Sequence, residues 1–376
     1  MGREAITLRL VATGGVIVLL LWPESLIGPS FQLSFAAITA IVALHESPLI
    51  RQMTQKRDEG LVARFGRSLF SLLLTGAAVE IVLAPIALFH FHKSGLYGAL
   101  ANIIAIPLTT FVIMPLEALA LTFDLAGWGA PFWWLTGLAL KGLLVLAHAV
   151  QSAPGAVAML PSVPVGAYAL LLGGGFWLLL WRTKQRLWGL GPLLIGATIA
   201  LVEPRPDLLI TGDGRHLVIA DDGGKMAILR PRAGDYVRDM LSERSAYADD
   251  LDDLDNMRGA RCSTDACRIM LKRGDRTWAV VATRSRHILP WLPFMAQCTS
   301  ADIVVSDRRL PSACTPRWFK ADRGTLAKTG GLAVILSHNR VDTVREITDD
   351  HPWVIAMRKG QQYDPQYRRK SPAKAP

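Results

Sequence analysis

Apolar residues form long runs through residues 1–203 and short, interrupted runs through residues 204–376. A helix needs about 20 apolar residues to cross a bilayer core. Seven stretches reach or approach this, at about 6–22, 31–46, 69–91, 96–123, 131–151, 165–181 and 188–203. The second and last are short, which predicts tilt, a kink or re-entry. The fourth is too long for one straight helix. Pro107 and Pro115 divide it and Asn102 sits beside the first break, so two half-helices or a kinked helix lining a cavity are expected. After residue 204 the pattern changes to short runs rich in Val and Ile. Leu208–Thr211, His216–Ala220, Met226–Leu229, Arg268–Leu271, Trp278–Ala282, Ile303–Val305 and Leu332–Leu336 read as strands. Gly212–Gly214 and Asp222–Gly224 read as turns, and helices are expected near 233–246 and 321–330. The expected organisation is a polytopic α-helical membrane bundle over 1–203, a soluble α/β domain over 204–360 and a disordered basic tail over 361–376.

Polar residues inside the apolar half single out two segments, Pro23–Phe35 and Gly98–Leu108, which carry Pro, Gly, Gln32 and Asn102 where an inert anchor would carry Leu and Val. Lipid offers backbone groups no water, so irregular helix at membrane depth survives only against protein or a wet cavity. Charges there are costly and face the bundle interior. Asn102, Pro107, Pro115, Gln32, Glu80 and Glu117 are therefore the candidate channel-lining residues, and internal pairing or snorkelling is the plain alternative for the two glutamates. Trp128, Trp133 and Trp134 fit an interfacial belt.

Lys and Arg set the orientation. Loop 47–68 carries Arg51, Lys56, Arg57, Arg64 and Arg67, and loop 182–187 carries Arg182, Lys184 and Arg186. Both are expected in the cytoplasm. The N-terminus is then cytoplasmic and residues 204–376 lie outside, in a multi-pass protein of a cell inner membrane. No A-x-A-like cleavage site follows the first run, where Trp22-Pro23-Glu24 stands instead, so no cleaved signal peptide is expected.

Composition changes this picture in two ways. The chain has 376 residues and a net charge of +10, mostly from residues 204–376. That surplus either attracts nucleic acid or anionic lipid or is a solvated basic surface. All four cysteines, Cys262, Cys267, Cys298 and Cys314, lie in this half. An even number in an oxidising compartment reads as disulfides, Cys262–Cys267 and Cys298–Cys314 being preferred by proximity among three connectivities. A four-cysteine zinc site is the rival, and the spacing of the second pair does not suit it.

The order Pro23…Phe31-Gln-Leu-Ser-Phe35-Ala, then His90-Phe-His-Lys-Ser-Gly95…Gly98…Ala101-Asn102…Ala105-Ile-Pro107-Leu…Pro115, resembles the membrane module of the ComEC competence family. The resemblance covers about residues 20–200. It implies an inner-membrane channel component for uptake of single-stranded transforming DNA. Family members carry more sequence before this point, so a fragment, a split gene product or a truncated gene model is expected. The order of strands in the second half resembles the metallo-β-lactamase-like domain that ends many members. That chemistry needs a His-x-His-x-Asp-His cluster to hold a metal and activate water. Here Thr211-Gly-Asp-Gly-Arg215-His216 and Asp221–Gly224 stand at the opening turns, His216, His287, His338 and His351 are isolated, and Asp302…Asp307-Arg-Arg stands where a later histidine would be.

The resemblance therefore implies a degenerate domain with no catalytic residues, no metal and no cofactor. Two rival readings are a membrane-anchored extracytoplasmic hydrolase or nuclease, and a non-transporting scaffold. The implied partners are single-stranded DNA, membrane lipid, and other competence proteins or a separate N-terminal half; a homo-oligomer is allowed. The tract Asp249–Asp255 lacks the Gly and Glu of a calcium loop and reads as a solvated acidic loop.

Overall fold

A computed structural model describes residues 8–47, 50, 52–53, 60–181, 183–285, 287–345, 351–352 and 354–356. Arg51, Lys56, Arg57, Arg182 and the 361–376 tail lie outside the described residues. The chain forms two compact units, Met1–Glu203 and Pro204–Pro376.

The first unit is helical: α1 (Leu8–Leu21), α2 (Pro29–Glu46), α3 (Leu61–Phe91), α4 (Gly98–Leu108), α5 (Met114–Asp124), α6 (Ala130–Gln151), α7 (Val165–Leu180) and α8 (Leu190–Val202). Four helical runs are long and apolar enough to span a membrane: Val62–Phe91, Gly98–Asp124, Ala130–Gln151 and Lys184–Val202. Leu20, Phe111, Val145 and Leu201 are 70–79% exposed, apolar surface that lipid and not water would cover. The protein is thus a multi-pass membrane protein. Its small core gathers Ala36, Ile86, Val163, Ala167, Tyr168 and Ala200, from α2, α3, α7, α8 and the approach to α7. Small residues bring backbones together, as is usual in bilayers. A Cβ on Gly196 would stand 2.7 Å from the Ala167 carbonyl oxygen, so α7 and α8 approach this closely only with glycine there.

The fourth segment rules out one of its two expected forms. It is one helical run from Gly98 to Asp124, not two halves. A π-helical turn, Thr109–Ile113, joins α4 to α5 between Pro107 and Pro115. Each proline removes an amide donor and crowds the carbonyl four residues back. The wider turn takes up the mismatch. The Thr109 hydroxyl also donates to the Ala105 carbonyl at 2.7 Å. Strands β1 (Lys93–Gly95) and β2 (Val157–Met159) pair antiparallel and bring the loops after α3 and α6 together.

The second unit holds two sheets. One has the order β13-β12-β3-β4-β5-β6, built from β3 (Leu208–Ile210), β4 (Leu217–Ala220), β5 (Met226–Ile228), β6 (Asp252–Asp253), β12 (Leu332–Ile335) and β13 (Arg340–Thr343). The other has the order β11-β10-β9-β8-β7, built from β7 (Ala260–Cys262), β8 (Ala266–Arg273), β9 (Arg276–Thr283), β10 (Ile303–Val305) and β11 (Phe319–Ala321). Leu208, Ile210, Leu217 and Ile219 of the first sheet share one core with Ile269, Leu271, Trp278, Val280 and Ile303 of the second. Burying side chains of this size stabilises by about 1.5–3 kcal/mol each.

Helix α9 (Asp235–Ser245) sends Leu241 onto the outer face of the first sheet. Helix α10 (Trp291–Ser300) sends Phe294 and Cys298 onto Val281 and Val304, on the outer face of the second. A third helix, α11 (Arg323–Thr329), is capped by the Asp322 carboxylate. Strands buried on both faces lose alternation, which is why β3, β4, β5 and β10 read as plain apolar runs. The acidic tract is not a free loop. Asp252–Asp253 adds β6 to the first sheet, Leu251 and Leu254 are buried, and Asp255 pairs with Arg284.

Both preferred disulfides are present, Cys262–Cys267 across the β7–β8 hairpin and Cys298–Cys314 between α10 and the loop before β11. A loop of about 15 residues closed this way gains roughly 3 kcal/mol by chain-entropy reasoning. The double substitution Cys298→Ala with Cys314→Ala is expected to lower the stability of the full chain by about that amount. Denaturant unfolding checks it, together with alkylation of the unfolded, unreduced protein, which should label none of the four cysteines.

Candidate functional site

Polar side chains of the first unit converge at one end of the helices. Gln32 lies in the first turns of α2, His90 in the last turn of α3 and Tyr168 in the first turn of α7. The Gln32 Oε1 atom accepts from the Tyr168 hydroxyl at 2.6 Å and pairs with His90 Nε2 at 2.7 Å. An amide oxygen can only accept, so His90 carries its proton on Nε2 in this arrangement. The amide nitrogen of Gln32 donates to the Leu26 carbonyl at 2.8 Å. Phe89 stacks on Tyr168 with ring centroids 3.9 Å apart. One glutamine thus fastens three helices and the loop before α2.

Glu80 makes the neighbouring junction. Helix α4 begins at Gly98 with no side-chain cap of its own. Its first amides are orphan donors, and a helix N-terminus favours negative charge. Glu80, from the middle of α3, supplies both. Its two carboxylate oxygens accept from the amides of Gly98 at 3.0 Å and Ala99 at 2.9 Å. Gly76, one turn earlier on α3, packs so closely on Ala99 that an added Cβ would sit 3.2 Å from the alanine methyl.

The remaining candidates of this unit do not join the cluster. Asn102, Pro107 and Pro115 are exposed along the α4–α5 run, and Glu117 is half-buried in the first turn of α5. His90 belongs to the motif that carries the resemblance and Tyr168 does not. A lone tyrosine in the Leu- and Gly-rich run of α7 was the available signal for it.

In the second unit the loops after β3, β5, β9 and β10 gather around Arg230. Its Nε donates to the Arg284 carbonyl at 2.8 Å, Nη2 pairs with Asp307 Oδ2 at 3.1 Å, and Nη1 donates to the Arg215 carbonyl. Arg284 in turn makes a two-pronged pair with Asp255, both bonds 2.7 Å, which holds the Asp255 carboxyl below its usual range. Asp302 accepts from the Ala279 amide and pairs with Arg276. Asp255, Asp302 and Asp307 are therefore each paired with an arginine.

Gly212 and Gly214 let these loops pass. A Cβ on Gly212 would overlap the Gly330 carbonyl, and one on Gly214 would stand 2.8 Å from that of Ser306. Among the described residues one grouping has metal-ligand geometry, Asp255 with Cys262 and Cys267, and both sulfurs are already in a disulfide. Burial pushes the His216 imidazole below its ordinary value, against the nearby Asp213 and with Arg230 and Arg215, and its Nδ1 is buried without a partner.

A family model described as "Competence protein" matches residues 1–185. "Uncharacterized protein YcaI" of Escherichia coli (strain K12) is 27% identical over 219 residues, 55% of this chain and 27% of that protein. The chain therefore spans about a quarter of the length of the curated relative it matches. No solved structure matches it.

Two outcomes follow. Gln32→Leu leaves the Tyr168 hydroxyl and the His90 ring without an acceptor and is expected to cost about 1–3 kcal/mol, measured as unfolding in mixed micelles. His216 binds its proton less readily folded than unfolded, so the unfolded chain holds more protons as pH drops below about 6.5. The stability is present above that pH and is lost as pH falls through the folded value. Thermal midpoints between pH 7.5 and 5.5 should decline for the parent chain and decline less for His216→Asn.

Proposed function

We propose that this competence-type membrane protein is a component of the route by which single-stranded DNA crosses a cell's inner membrane. The observation that carries the reading is the competence family match over residues 1–185, which spans the helices joined at Gln32 and His90. In this reading seven spans, four of them helices of full membrane length, start from a cytoplasmic N-terminus and carry the second unit outside. Pairing of β1 with β2 supports this, because the two loops it joins are separated by two spans and must lie on one side. The disulfides support an oxidising outer compartment. The helix–sheet–sheet–helix layering of the second unit supports a metallo-β-lactamase-like fold whose ligand positions have been taken by aspartate–arginine pairs.

A translocating single strand needs a hydrated path and contacts that do not read its bases. The polar helix ends around Gln32, His90 and Tyr168 form its outer mouth, and Glu80, from the middle of α3, holds the start of α4. Asn102, at the start of the α4–α5 run, provides a polar point on the wall, and Pro107 and Pro115 fix the widened turn. The rival hydrolase reading needs a ligand cluster and would be revived by bound zinc with nuclease activity in the purified chain.

The test is uptake of fluorescent DNA in cells lacking this gene, complemented with the parent chain or with Asn102→Leu and Pro107→Leu together, at matched expression. Restored uptake with the parent and a several-fold loss with the variant are expected. Equal uptake by both would overturn the roles given to Asn102 and Pro107.

A further inference from the structure

Most inward-facing cations of the second unit are matched. Arg273, at the end of β8, pairs with Asp207 and Asp222. Arg276, at the start of β9, lies 3.7 Å over the Trp278 ring. The cations on the other face of β7 and β8 are not. Strand β8 alternates strictly: Cys267, Ile269 and Leu271 are buried, while Arg268, Met270 and Lys272 are exposed. Arg261 of β7 is exposed and stands directly opposite Arg268 in the ladder. Like charges directly opposed across a ladder are destabilising. Yet the side chains of Arg261, Arg268 and Lys272 make no ion pair and no hydrogen bond among the described residues; the Asp222 carboxylate beside Lys272 accepts from its backbone amide at 3.1 Å.

The register gives this face its shape. Arg268, Met270 and Lys272 share the face of Arg261, Ala279, Val281 and Thr277. Helix α10 covers the Val281 side of the face, so the β7–β8 side is left open beside it. Arg268 and Lys272 are four residues apart on a strand, about 14 Å. Met270 is 41% exposed between them. Its neighbour across the ladder is Gly259, whose φ of +84° and contact with the Met270 carbonyl suit glycine alone, so a bare notch adjoins the methionine. The Cys262–Cys267 disulfide pins the hairpin one register step from the arginine pair.

We infer that this open face of β7 and β8 binds the sugar–phosphate backbone of a single-stranded polynucleotide, with Arg261, Arg268 and Lys272 on phosphates and Met270 against a base or sugar. Two opposed guanidiniums without an acid are relieved by an anion between them. A row of cations along an extended strand fits a linear polyanion. A bilayer surface fits less well, because interfacial elements need a broad apolar face and Met270 is the one large apolar side chain exposed on β7 and β8. The inference rests on the reading of the protein as a DNA-uptake component and adds to it a contact surface outside the membrane.

The experiment uses the purified full chain in nanodiscs and a fluorescent 20-nucleotide oligothymidylate, with anisotropy read across a salt series. Arg261→Gln, Arg268→Gln and Lys272→Gln together should weaken binding at least tenfold and make the slope of log K against log salt shallower by about 2, since each phosphate contact on a single strand contributes about 0.7. Lys225→Gln with Arg232→Gln, exposed cations elsewhere, should change neither. Equal thermal midpoints of parent and triple variant exclude misfolding. Unchanged binding or slope in the triple variant overturns the inference, as does a parent chain that fails to bind. If the variant instead loses affinity only for dioctanoyl-phosphatidylglycerol, lipid headgroups take the face and the inference falls. A chain that binds through this face but restores no uptake in cells would sink the uptake reading and leave the surface standing.

Discussion

Water is missing where the first unit is built, and its architecture follows from that constraint. A polar group with no water must find a protein partner or cost several kcal/mol. Gln32 resolves this by being used from both ends, its oxygen toward Tyr168 and His90 and its nitrogen toward Leu26. Glu80 resolves it by covering the bare amides at the start of α4. These contacts tie α2, α3 and α7 at one end and the middle of α3 to the start of α4, where packing alone is thin because lipid tails are as apolar as the helices. The same residues that would be liabilities in an anchor therefore give this bundle its specificity.

The second unit solves the opposite problem, in water. Its stability comes from apolar side chains held between two sheets. Its loops are then fastened by charge. Arg230 joins four loops, Arg273 ties Asp207 to the turn after β4, and Arg284 holds Asp255. Arginine suits this work because its planar fork serves several acceptors at once. Two disulfides add covalent constraint at the β7–β8 hairpin and under α10.

Much of this was legible in the sequence. Helices lie at all seven apolar stretches, and the short Val- and Ile-rich runs became β3, β4, β5, β8, β9, β10 and β12. The cysteine pairing followed from proximity. Other features were not legible, for physical reasons. Pro107 and Pro115 signalled a break, but a π-turn absorbs two prolines without one. Helix α10 contains Pro293 and little amphipathic pattern, and its position depends on Val281 and Val304, which lie in the strands on either side of it in sequence and face it only once the sheet forms. Strands β11 and β13 are short and mixed in composition, and form by pairing with partners already in place. Glu80 was marked as unusual, yet its role as a cap for a helix 18 residues later needed three-dimensional contact. Tyr168 carried no local signal beyond its solitude.

A channel component of this kind must let a single strand pass through a bilayer. The direct measurement places purified protein in sealed vesicles of phosphatidylethanolamine and phosphatidylglycerol, adds end-labelled single-stranded DNA outside, imposes a membrane potential, and then adds external nuclease. The account predicts a protected, full-length labelled fraction that requires the protein and is absent with duplex DNA. No protection above protein-free vesicles, with the protein inserted and its second unit facing outward, would contradict it.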